Sequence, residues 1–258
     1  MEVRQSRVVK KLRAGEIVTC FNVHFDAQAS DIAGLNGFDC LWIDREHMAK
    51  DWSELQAHIW AARSHNTDVM VRVPRGSYSG YIKPLEMGAA GIMVPHVMNS
   101  KEARNVVHTT RFHPVGRRPL DGGNTDGNYA MLDYSHYLEQ ANDRTFIVLQ
   151  IEDPEALEEL DAIAALEGID MLFFGPADFS QGIGAPGDWQ NPQLLEARKM
   201  VAETAAKYGK YAGIPTSIDN LEDMVALGYQ FLAIGSDVVA VGNYCRELIA
   251  GFKSKVNR

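Results

Sequence analysis

The chain has little cysteine, no long hydrophobic run and no excess of positive charge. Its three cysteines (Cys20, Cys40 and Cys245) are far apart and form no CxxC. That excludes a disulfide framework and a cysteine-based zinc site as organising features. No apolar stretch reaches the length of a membrane span. Lys and Arg number 25 against 34 Asp and Glu, a net charge of −9. A nucleic-acid partner would call for a basic stripe, so none is expected. The opening segment MEVRQSRVVKKLRAGE carries no apolar core of a secretory signal, and a reducing cytoplasm is the expected compartment. No GxxxxGK[ST] is present, which removes the P-loop nucleotide enzymes. The histidines show no HxH or HExxH spacing, so no histidine zinc motif is indicated.

What is present is an ordinary globular composition, 46% hydrophobic and 23% charged. Short, nearly uniform apolar runs recur at Ile17–Val23, Cys40–Asp44, Asp68–Pro74, Gly91–Val97, Phe146–Glu152, Met171–Asp178, Tyr211–Ser217 and Phe231–Asp237. Uniformly apolar strands suit a parallel sheet covered on both faces. Helical patterns fall between them at Trp52–Ser64, Ser79–Met87, Ser100–Arg111, Pro154–Leu166, Asn191–Tyr208, Ile218–Leu227 and Val238–Phe252. Eight strands alternating with helices and no linker predict an α/β fold: a single (β/α)₈ barrel domain over residues 1–258, with a doubly wound sheet as the alternative. The segment 112–130, FHPVGRRPLDGGNTDGNYA, is expected as a long functional loop near the barrel mouth, with Arg117, Arg118 and Asp121 bearing on selectivity.

In such a barrel, chemistry sits at the C-terminal strand ends. Glu152 and Asp178 end successive runs. Two adjacent carboxylates repel unless a cation lies between them or one is protonated, so a hard divalent ion is one occupant. A helix cap or an arginine pair is the other reading. His47 follows Asp44-Arg45-Glu46 and can move a proton near neutrality, or simply be solvated. Arg72 interrupts an apolar strand and needs an anion: either Asp44 or Glu46 structurally, or a substrate carboxylate or oxyanion. No apolar run ends in lysine and Lys210 begins the seventh, which argues against imine chemistry. Gly182–Gly187 matches GxGxxG formally. It lacks a strand directly before it and a helix opening within it, and reads as a loop.

Several segments together resemble the HpcH/HpaI aldolase family. They are Gly37–His47 (GFDCLWIDREH), Val71-Arg72-Val73-Pro74, Gly88–Pro95, Leu149-Gln150-Ile151-Glu152 and Phe174–Ser180. The resemblance implies metal-dependent, reversible aldol cleavage of a 4-hydroxy-2-oxo acid to pyruvate, or a close analogue, and an aldehyde. An enolate would form at Mg²⁺, Mn²⁺ or Co²⁺. It implies His47 as proton acceptor, Arg72 as enolate stabiliser and Glu152 with Asp178 as metal ligands. Gln150, Gly175, Pro176 and Ala177 would contact substrate, Ala177 through its backbone. Glu86 falls where the family's aspartate raises the basicity of the histidine. A homo-oligomer is implied, commonly a hexamer, with the Val238–Phe252 helix packed on a neighbouring subunit. Oxaloacetate decarboxylation through the same enolate, and a non-catalytic carboxylate-binding barrel, are the alternatives.

Overall fold

A computed structural model describes residues 1–256. Eight parallel strands close into one barrel in chain order. They are β1 (Val18–Val23), β2 (Cys40–Asp44), β3 (Asp68–Arg72), β4 (Gly91–Val94), β5 (Phe146–Ile151), β6 (Met171–Phe174), β7 (Tyr211–Thr216) and β8 (Phe231–Ser236). The helices are α1 (Arg7–Arg13), α2 (Ala27–Leu35), α3 (Trp52–Ser64), α4 (Tyr78–Glu86), α5 (Ser100–Thr110), α6 (Tyr134–Arg144), α7 (Leu160–Ala164), α8 (Pro176–Gly182), α9 (Pro192–Lys207), α10 (Leu221–Ala226) and α11 (Asp237–Val256). The barrel expectation therefore holds and the doubly wound alternative falls. The expected runs match the ends of β1 and β2 and extend one to four residues past the ends of β3 to β8.

Local chemistry starts the helices. Side-chain oxygens of Ser6, Asp26, Asp51, Ser77, Asn99, Asp133 and Asn191 accept from orphan N–H groups at their N-termini. Each such cap stabilises its helix by about 1 kcal/mol. Alternation along the strands then sorts the core. Leu41, Ile43, Val69, Val71, Ile92 and Leu149 pack outward against helices. Cys20, Cys40, Met70, Met93, Val148 and Phe173 fill the interior.

Val8, Val9 and Leu12 of α1 join that interior cluster and close the bottom. Asp39 and Asp68, beside the starts of β2 and β3, tether this plug. Asp39 pairs with Arg7 and Lys11, and Asp68 pairs with Arg4 and accepts from Ser6 Oγ. With the bottom sealed, the C-terminal strand ends form the open face.

The 112–130 segment does not border that face. It follows α5, which carries the chain back to the N-terminal strand ends. Arg111 donates to the carbonyls of Thr145 and Gly168, just ahead of β5 and β6. Arg118 then pairs with Asp126 in a buried cluster that Tyr137 Oη joins at 2.7 Å. The loop is a packed floor element, so its expected place at the mouth is corrected.

α11 leaves the barrel. Of its residues only Asp237 is buried, while Val239, Tyr244, Leu248, Ile249, Phe252 and Val256 are exposed.

Candidate active site

Arg72 ends β3 directly opposite Asp44, the last residue of β2. Nε donates to Asp44 Oδ1 at 3.0 Å and Nη2 to Asp44 Oδ2 at 2.6 Å, a two-pronged buried pair. Nε also lies 3.2 Å from Glu46 Oε2. Burial alone would raise the Asp44 carboxyl, but Arg72 outweighs it and holds Asp44 below the ordinary carboxylate range. Arg72 therefore has the structural anion that the sequence left open, and its guanidinium stands 4.9 Å from the centre of the Trp42 ring.

Glu152 follows β5 and is almost fully buried. Oε1 accepts from the His96 backbone N–H at 2.9 Å, and Oε2 accepts from Gln150 Nε2. Burial pushes Glu152 up to about 7. The His96 N–H and ring and Arg72 resist that rise, and the Asp178 charge adds to it. Gly175 lies against this carboxylate: a Cβ there would stand 2.5 Å from Glu152 Oε2 and 3.0 Å from Gln150 Nε2. Gln150 Oε1 and Trp42 Nε1 are buried without a hydrogen-bond partner.

Asp178 does not end a strand as expected. β6 stops at Phe174, Gly175 takes the cap position, and Pro176 opens α8 with Asp178 in its first turn. A proline at the first helical position and an acid in the first turn both suit a helix start. The turn still delivers the carboxylate to Glu152. One ligand atom each from His96, Glu152 and Asp178 lie within 4.8 Å of one another.

A divalent cation fits this place. The donors are two carboxylates and an imidazole, Gly175 leaves room beside Glu152, and Glu152 is driven toward neutrality when no cation compensates its burial.

His47 sits on the β2–α3 connection, 62% exposed, with Nε2 3.6 Å from Glu46 Oε2. Glu86 does not join it within the chain. It ends α4 on the barrel's flank, in a groove shared with Trp52, Gln56, Trp60 and Lys83. Burial raises its carboxyl, and the charges acting on it are Arg118, Asp126, Asp121 and Lys83, not His47. Within one chain the expected Glu86–His47 partnership is therefore not formed: their elements place one on the flank and the other at the rim.

Two features escaped the sequence reading. His96 lies just past β4 and reaches Asp153 Oδ2 (3.0 Å) and Glu152 Oε1 (3.7 Å) through Nδ1, and Glu46 Oε1 (3.8 Å) through Nε2. Its signal was its place at the end of the fourth apolar run, since no spacing motif marks it. Lys50 is a buried lysine beside β2. Its Nζ donates to the carbonyls of His24 and Phe25 and to Glu54 Oε1.

Comparison with known proteins agrees with this architecture. The family model described as HpcH/HpaI aldolase/citrate lyase matches residues 18–243. A 2-keto-3-deoxy-L-rhamnonate aldolase of Escherichia coli (strain K12) is 30% identical over 250 residues, 96% of this chain and 93% of that protein. The crystal structure of an HpcH/HpaI aldolase from Desulfitobacterium hafniense DCB-2 superimposes with a TM-score of 0.89 at 28% identity, covering 95% of each chain. The citrate synthase SbnG gives a TM-score of 0.89 at 27% identity, covering 97% of this chain and 99% of that one.

Proposed function

Since this chain belongs to the HpcH/HpaI aldolase/citrate lyase family of carbon–carbon lyases, we propose that it cleaves a 4-hydroxy-2-oxo acid to pyruvate and an aldehyde with a divalent metal. The observation that carries this reading is the His96–Glu152–Asp178 constellation beside Arg72 and the unpartnered Gln150 Oε1. A 2-keto-3-deoxy sugar acid, the substrate type in the name of the Escherichia coli relative, contains the required 4-hydroxy-2-oxo unit.

When bound at Glu152 and Asp178, a divalent ion supplies Lewis acidity toward the 2-oxo acid. The protein residues do the rest. Glu152 is fixed by the His96 N–H and Gln150, so its oxygen does not drift. Gln150 Oε1 is free to accept from a substrate hydroxyl. The Ala177 backbone at the start of α8 faces the substrate carboxylate, with Gly175 and Pro176 shaping that wall. His47, directly or through water, takes the 4-hydroxyl proton. The C3–C4 bond then breaks, its electron pair passing to the enolate of pyruvate. Arg72, held rigid by Asp44, stabilises the enolate oxygen. Returning the proton to C3 completes pyruvate.

A second reading, oxaloacetate decarboxylation, is supported by the exposure of His47 in the chain, because that reaction needs no base. Pyruvate release from 2-keto-3-deoxy sugar acids, other 4-hydroxy-2-oxo acids and oxaloacetate tests both. In the aldolase, His47→Ala abolishes aldol cleavage and spares decarboxylation. Release from oxaloacetate alone would displace the aldolase reading.

The working form proposed is a homo-oligomer, for which the family resemblance implies a hexamer. α11 carries an unpartnered apolar face. On the outer side of β1 and β8, Phe21 and Ile234 are only partly covered. This side is the place proposed for α11 of a second copy.

A further inference from the structure

We propose that His24 determines which aldehyde is accepted: its Nε2 takes a hydroxyl carried beyond C4 of the substrate, so that hydroxylated aldehydes are favoured over plain ones. This rests on the aldol-cleavage reading above.

Alternation places the ring. Val18 and Cys20 of β1 belong to the barrel interior, and the two-residue period of a strand carries Asn22 and His24 to the same side. His24 is the first residue past β1, so its ring tops that interior column at the open face. Ser236, paired in register with Asn22, ends β8 beside it.

The ring is held from both sides. Nδ1 lies 3.3 Å from Asp237 Oδ1 and 3.2 Å from Ser236 Oγ. The Asp237 carboxylate also accepts from the backbone N–H groups of His24, at 2.9 Å, and Phe25, at 2.8 Å. Opposite, Lys50 Nζ donates to the carbonyls of the same two residues, at 3.0 and 2.7 Å. Asp237 and Lys50 are both buried. Two buried charges thus fix the short segment that carries one imidazole, the support a binding side chain needs to hold its geometry.

The far side of the ring is unused. A carboxylate only accepts, so the bond to Asp237 puts the proton on Nδ1 and leaves Nε2 its lone pair. Nε2 has no partner among the described residues, and the side chain is partly exposed. It is a fixed acceptor at the open face.

Topology says what reaches it. In the closed ring of eight strands β1 stands opposite β5, the strand that leads into Glu152. With the 2-oxo acid end at Glu152 and Asp178, and the 4-hydroxyl at His47 just past the neighbouring β2, the carbons beyond C4 extend toward β1 and β8. A 2-keto-3-deoxy sugar acid carries a hydroxyl there that can donate to His24 Nε2. An acid built from a plain alkyl aldehyde carries none.

The competing possibility is that His24 merely ties β1 to β8. Steady-state pyruvate release by the intact protein with added Mn²⁺ separates the two. The substrates are a six-carbon 2-keto-3-deoxy sugar acid and 4-hydroxy-2-oxohexanoate, equal in chain length. His24→Asn keeps an amide near the Nδ1 position for Asp237 and loses the far acceptor. His24→Gln reaches the Nε2 position, and thermal melts check that both variants fold. The proposal expects wild-type kcat/KM to favour the sugar acid at least about tenfold, the scale of one well-placed hydrogen bond. His24→Asn should lose most of that preference through a higher KM, with less than about threefold change on the plain acid. His24→Gln should retain part of it. A purely structural tie predicts instead that the preference survives in His24→Asn, or that both variants lose activity equally on both acids. Either result overturns the proposal. Pyruvate from both acids at equal efficiency in the wild type overturns this assignment and leaves the aldolase reading standing. Pyruvate from neither acid removes the aldolase reading, and this assignment with it.

Discussion

Arg72 and Asp44 face each other across adjacent strands at the last register position of each, joined by two hydrogen bonds. The pair answers the burial of both charges and fixes the guanidinium at the mouth. Arg72→Lys keeps the charge and loses the two-pronged geometry. We expect kcat/KM to fall about 10²-fold, within the range for lost oxyanion donors. Arg72→Ala strands Asp44 as a buried charge and should also cost about 3–5 kcal/mol of stability. Steady-state kinetics and urea unfolding check the two effects separately. Full activity in Arg72→Lys would remove the guanidinium from the chemistry.

Gly175→Ala tests the space beside Glu152. The backbone at Gly175 has φ −102°, which alanine tolerates, so the added methyl acts through its 2.5 Å approach to Glu152 Oε2. Overpacking of this kind costs about 1–3 kcal/mol. Divalent-metal affinity should weaken at least about tenfold with little change in overall secondary structure. Isothermal titration with Mn²⁺ reads the first and circular dichroism the second.

The raised Glu152 carboxyl makes metal binding depend on pH. Burial puts it at about 7 in the metal-free fold, above its unfolded value near 4.3. Between those values the folded state holds the extra proton, so this group's contribution to stability is full below about 4.3 and is lost as pH rises through about 7. A cation must displace that proton. Mn²⁺ affinity should therefore drop as pH falls below about 7 and level off above it, with proton release on binding near pH 6. Titrations in buffers of different ionisation enthalpy measure this. Affinity that stayed flat from pH 6 to 8 would contradict it.

α11 should decide the assembly. Phe252→Glu with Leu248→Glu places charges on its apolar face. Light scattering after size exclusion should show a smaller species than the wild type. An unchanged mass, or a wild-type monomer, would refute the role given to α11.

The barrel was legible because its strands are apolar on both faces and its helices carry caps and breaks where the chain turns. Trp42, Val71, Ile92 and Leu149 all show that pattern. Glu152 and Arg72 were legible too, since a charge closing an apolar run has few uses. What escaped was set by three-dimensional placement. Asp178 reads as the end of a strand because Gly175-Pro176-Ala177 is apolar, although the proline starts a helix. The 112–130 segment has a functional loop's composition, yet its side of the barrel follows from the direction of α5, which composition does not encode. Glu86 matched a pattern by position, but its helix ends on the flank. His96 has no spacing motif, and only the turn after β4 brings it to Glu152.

Pyruvate formation by chelator-stripped protein, with and without added Mn²⁺, tests the central claim most directly. 2-Keto-3-deoxy sugar acids serve as substrates, and Glu152→Gln and Asp178→Asn are run beside the wild type. The account predicts turnover that appears only with metal in the wild type and in neither variant. Equal pyruvate release by metal-free wild type, or by either variant, would contradict it.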